Sequence, residues 1–169
     1  MLSRAAILAL PVLLLAACNT FTGGPAFHPP PEQPPPPPPV GGIDGEGAFR
    51  LADGGRVTCA GFSVALMPDF VRYRRRIVDL YGTTVRVMEP IAEVKARSAK
   101  LPPSPDTAPV ASTACDTRGD FNFHGLAPGG YFLLARVKVH PSPTGREDYV
   151  ILQPVDIQPG QTADVSLAP

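Results

Sequence analysis

From Phe49 onward, apolar and polar residues alternate in short runs, the period-two pattern of strands with one buried face. Phe49 and Leu51 share a face, Asp53-Gly54-Gly55 supplies a hairpin turn, and Val57 and Cys59 share a face beyond it. Phe62, Val64 and Leu66 then alternate with Ser63, Ala65 and Met67 until Pro68 stops the run. Val85 and Val87 lie on one face of a strand-like stretch, 83–88. Further on, Phe121 and Phe123 alternate, as do Tyr131, Leu133, Ala135, Val137 and Val139. Residues 149–153 read as another strand, and Ala163, Val165 and Leu167 as the last. Seven or eight short strands separated by turn residues predict an all-β Greek-key sandwich.

Two stretches depart from that period. In residues 69–81, Phe70, Tyr73, Ile77, Leu80 and Tyr81 fall within an arc of about 100° at helical spacing. Arg72, Arg75, Arg76 and Asp79 lie opposite, with Asp69 as N-cap and Gly82 as C-terminal stop. A short amphipathic helical insertion is therefore expected, and Arg72, Arg75 and Arg76 are its candidate contacts to an anionic surface. The bland reading of those arginines is a solvated helix face. Residues 89–114 hold five prolines and few large apolar side chains, and read as a long excursion, irregular from Pro102 to Val110. Loops this long are functional or disordered, and disorder is the favoured reading here. Pro90 and the Glu93/Arg97 pair allow one or two helical turns within it.

The segment before Phe49 is of another kind. Arg4 precedes an apolar run of eleven residues, 5–15, too short to span a bilayer. Leu15-Ala16-Ala17-Cys18 closes the run and resembles the bacterial lipobox, whose cysteine is cleaved free and acylated. The competing reading is an ordinary Ala-x-Ala cleavage with Cys18 incidental. Residues 1–17 are thus expected to be a signal peptide and Cys18 a lipid attachment point. Two or three acyl chains, each contributing ~0.8 kcal/mol per buried methylene, anchor a protein effectively permanently. Asn19 stands where an aspartate would retain an enterobacterial lipoprotein at the inner membrane, so the resemblance implies the outer membrane, facing the periplasm.

Residues 18–43 read as a linker and 44–169 as the folded domain. Ten of the fifteen residues from 25 to 39 are proline, a composition that favours polyproline II over any packed core. At ~3.1 Å per residue this mast would reach about 45 Å. Gly23-Gly24 and Gly41-Gly42 are its expected hinges.

The stretch 116–131 carries the second resemblance. Asp116 and Gly119 frame a type I turn, Phe121 and Phe123 follow on one face, and Leu126, Pro128, Gly130 and Tyr131 form a corner. This pattern resembles the signature of the carboxypeptidase regulatory-like, or prealbumin-like, β-sandwich, and implies that fold. It implies no ligand. The related hydroxyisourate hydrolases end in Tyr-Arg-Gly-Ser, which this chain lacks. Arg118-Gly119-Asp120 matches an integrin-binding tripeptide, but the turn already explains Gly119.

Charge and chemistry narrow the rest. The formal net charge is zero, so no nucleic-acid partner is expected. Once Cys18 is assigned to lipid, Cys59 and Cys115 remain, an even pair that suggests a disulfide in an exported protein. No His-Glu-x-x-His, Gly-x-Ser-x-Gly or phosphate loop occurs, and no metal or cofactor is expected. His124 reads as a structural side chain at the corner. The function these observations favour is a lipid-anchored, non-enzymatic envelope module that binds or scaffolds envelope proteins, glycans or anionic headgroups. The alternative is an envelope hydrolase with a site around His140, Glu147 and Asp148.

Overall fold

The computed structural model describes residues 37, 39–104, 108–140 and 148–168. The expected signal peptide, Cys18 and most of the linker lie outside them. The described residues fall within one compact unit, Pro36–Pro169. In chain order the elements are β1 (Gly41–Glu46), β2 (Ala48–Arg50), β3 (Arg56–Thr58), β4 (Ser63–Pro68), α1 (Val71–Tyr81), β5 (Val87–Pro90) and α2 (Ile91–Ser98). Then come β6 (Ala111–Ala114), β7 (Asp120–Leu126), β8 (Gly129–His140), β9 (Asp148–Ile157) and β10 (Thr162–Ser166).

The layers follow from which side chains each strand turns inward. A small sheet has the order β10-β1-β7, with β1 parallel to β10 and antiparallel to β7. The large sheet is centred on β8, the longest strand. One edge of β8 pairs with β4 and then β3, and the other pairs along its length with β9, which carries β5 outside it. Ile43, Val57, Val64, Leu66, Phe121, Phe123, Leu133, Val137, Ile151 and Leu167 meet between the sheets and are buried there. The alternate residues Met67, Phe132, Val150 and Leu152 face the opposite way and would lie bare on a simple sandwich. Tyr73, Ile77 and Tyr81 of α1 and Val94 of α2 cover them. The molecule is therefore a three-layered sandwich, with the helices on the outer face of the large sheet.

The first strand opens at Gly41, three residues before the expected domain start, and takes in the expected hinge. Its glycines serve close packing: a Cβ on Gly42 would lie 2.8 Å from the Phe123 carbonyl oxygen, and one on Gly45 2.0 Å from the Phe121 ring. Ten strands occur among the described residues, because β1 and β6 form where the sequence has almost no large apolar residues. Residues 89–114, expected to be a long excursion inclined to disorder, contain the end of β5, α2 and β6. The described residues between Pro102 and Val110 form no helix or strand, as expected. The Glu93–Arg97 pair is present at 3.6 Å, and Arg97 also holds Glu89 at 3.0 Å. Val85, expected on a strand face, is exposed ahead of β5.

Gly82 ends α1 in the left-handed region, at φ 72°, as its sequence position predicts. Asp69 does not cap it: Phe70 is the N-cap, and the Asp69 carboxylate pairs with Arg74. Cys59 and Cys115 are joined, their Cα atoms 5.7 Å apart, fastening the segment after β3 to the turn before β7.

Candidate functional site

The signature turn is built by backbone chemistry. One Asp116 carboxylate oxygen accepts from the Arg118 and Asp120 amides at 2.8 and 2.9 Å, and the Gly119 amide reaches the Asp116 carbonyl at 3.1 Å. The Asp120 amide, assisted by the amide and charge of Arg118, holds the Asp116 carboxyl below its ordinary pKa. Gly119 adopts φ 95°, and its carbonyl accepts the Gly47 amide from the strand region opposite. Phe121 and Phe123 drop into the core edge to face. Leu126 is buried, and the Tyr131 hydroxyl closes the corner on the Ala127 carbonyl at 2.8 Å. Pro128 is half-buried, and Gly130 packs where a Cβ would lie 3.2 Å from the Asp69 side chain. All eight signature residues thus shape the fold.

The same strands present a second surface. Because Ile43 and Gly45 of β1 point inward, Asp44 and Glu46 point out. Register then sets Asp44 between Asn122 of β7 and Asp164 of β10, and Glu46 between Asp120 and Ser166. These two polar rows, with Asp116 and Arg118 at one end, line an open groove of about 680 Å³. Arg118 bridges its carboxylates, 3.0 Å from Asp120 and 3.5 Å from Asp116. Asp44 and Asp164 are carboxylates at paired positions, an arrangement that weakens a sheet. Among the described residues no set of three His, Cys, Asp or Glu side chains is arranged to hold a metal. What the groove offers is an array of hydrogen-bond acceptors with one guanidinium, suited to hydroxyls and amines and hostile to anions.

The expected basic cluster is divided. Arg72 and Arg75 are exposed on α1, Arg72 lying 5.3 Å over the Tyr73 ring. Arg76 is half-buried and turned to the end of α2, where its guanidinium donates to the Pro102 carbonyl at 3.2 Å and the Ser98 hydroxyl at 3.4 Å. It fastens one helix to the other and is no surface contact. Phe70, expected in the buried arc, sits at the helix mouth and is 57% exposed.

Of the hydrolase alternative, His140 ends β8 on the surface, Glu147 lies outside the described residues, and Asp148 is taken by Arg136. His124 lies on the exposed face of β7. The groove residues Asp44, Glu46, Asn122, Asp164 and Ser166 carry no sequence motif. They meet because β1 lies between β7 and β10, and the alternation of β7 and β10 is the local signal of which of their residues face out.

No family model matches the chain, and no curated protein matches it. Among solved structures it is similar to that of a candidate carbohydrate-binding protein from Pseudomonas aeruginosa, at 17% sequence identity, covering 76% of this chain and 89% of that one, with a TM-score of 0.48. A likeness at that level carries no ligand from one protein to the other.

Proposed function

We propose that this chain is a lipid-anchored, non-enzymatic protein of the cell envelope whose sandwich offers the acidic groove as a binding face. The observation that carries the anchor is Leu15-Ala16-Ala17-Cys18 at the close of the eleven-residue apolar run. Cys18 bears the lipid, and Asn19 directs the protein to the outer membrane, facing the periplasm. The domain is of the carboxypeptidase regulatory-like kind, a reading supported by the structural part each signature residue plays in the turn and corner. For the ligand, five carboxylates, Asp44, Glu46, Asp116, Asp120 and Asp164, favour hydroxyl- and amine-bearing groups of envelope glycans or proteins over anionic ones.

The anchor is tested by metabolic labelling with a palmitate analogue in cells making the wild type or Cys18→Ser. The wild type should take up label and fractionate with membranes, and the variant should be unlabelled and either unprocessed or soluble. Equal labelling of the two would sink the lipoprotein assignment.

A further inference from the structure

A net charge of zero hides a segregation. Residues 69–100, which contain both helices, carry eight Arg and Lys against four Asp and Glu. Residues 41–68 and 101–169 together carry six against ten. Five of those acids, Asp44, Glu46, Asp116, Asp120 and Asp164, line the groove on the outer face of the small sheet. The helices lie on the outer face of the large one, so the groove's acids and the arginines of α1 look in opposite directions. On α1 the basic residues are interleaved with exposed apolar ones: Phe70 is 57% exposed, Val71 71% and Val78 46%. Val71, Arg75 and Val78 succeed one another on one outer face, with Arg72 beside them. Asp79 is the only acid in α1, and Arg74 is already paired with Asp69.

Phe70, Val71 and Val78 put apolar surface among these charges. Apolar tips set among guanidinium groups match the boundary of a bilayer, where the tips enter between headgroups and the arginines meet phosphates. A second copy offering the carboxylates of its acidic groove is the competing partner for this face. We propose that the outer face of α1, with Phe70, Val71, Arg72, Arg75 and Val78 as contacts, docks on an anionic phospholipid surface and turns the acidic groove away from the bilayer. This rests on the lipid-anchored reading, which supplies the bilayer.

The test uses the full lipidated protein carrying an environment-sensitive fluorophore on Val78→Cys or, as the opposite face, Asn122→Cys. Each is mixed with excess vesicles of phosphatidylethanolamine and phosphatidylglycerol, or of phosphatidylcholine alone. The Val78 probe should shift to the blue on the anionic vesicles only, and the shift should fade as salt rises. Arg72→Gln with Arg75→Gln should lower the docked-to-undocked ratio roughly 30-fold, while the double change to Lys largely keeps it. No shift on anionic vesicles at low salt, an equal shift on phosphatidylcholine, or an equal shift of the Asn122 probe would each overturn the proposal. So would salt-sensitive self-association without vesicles that the Gln pair abolishes, which would make a second copy the partner. Flotation with phosphatidylcholine vesicles reports the lipid anchor alone, so its failure would count against Cys18 while the Val78 probe still decides for α1.

Discussion

On either side of the large sheet the chain builds a layer by a different means. Toward the small sheet, a disulfide, the Asp116 turn and inward glycines fix the backbone so closely that the outward residues of β1, β7 and β10 are left free to be polar. Toward the helices, nothing covalent holds α1 and α2. They rest on Met67, Phe132, Val150 and Leu152 and are laced together by Arg76 and Arg97. The first layer tolerates like charges at paired positions because its geometry is set elsewhere. In the second, packing is the main support, and its outer face keeps Phe70, Val71 and Val78 exposed.

That contrast sets the sizes of the expected effects. The largest belongs to the pinned side. Replacing Cys59 and Cys115 by Ala opens a link across a separation of 56 residues, and the chain-entropy cost is about 4 kcal/mol. Denaturant unfolding should show that loss, and the same loss on reducing the wild type. A double variant as stable as the oxidised wild type would mean that the sheets, not the link, hold this side.

A smaller effect belongs to the packed side. Burial against the sheet, with Glu89 adding its charge, pushes the Tyr81 phenol from an ordinary 10 up to about 12. The fold favours the neutral phenol, so its contribution is complete below pH 10 and is lost as the pH rises toward 12. A shift of that size corresponds to about 2–3 kcal/mol. Tyr81→Phe cannot ionise, and its stability should fall less than the wild type's across that window. Parallel alkaline curves for the two proteins would show that α1 does not bury this ring in solution.

The two sides also differed in how openly the sequence declared them. The turn at Asp116, the corner at Tyr131, the cysteine pair and the α1 stripe with its Gly82 stop were legible, because each depends on contacts within a few residues or on a countable pair. β1 was not. Gly41-Gly42-Ile43-Asp44-Gly45-Glu46 offers one large apolar side chain, and its glycines answer to Ile157, Phe123 and Phe121 far along the chain. The groove was hidden for the same reason, since its rows come from three strands far apart in the chain, β1, β7 and β10. Helical spacing placed Arg76 among the exposed arginines, whereas the end of α2, invisible to periodicity, claims it.

Which way the two faces point is tested most directly by a photocrosslinking amino acid placed at Val78 or at Asn122 in growing cells. Irradiation should yield phospholipid adducts at Val78, and at Asn122 adducts with a non-lipid envelope component and none with phospholipid. Phospholipid adducts at Asn122, or their absence at Val78, would contradict a molecule that docks by its helix and presents its groove.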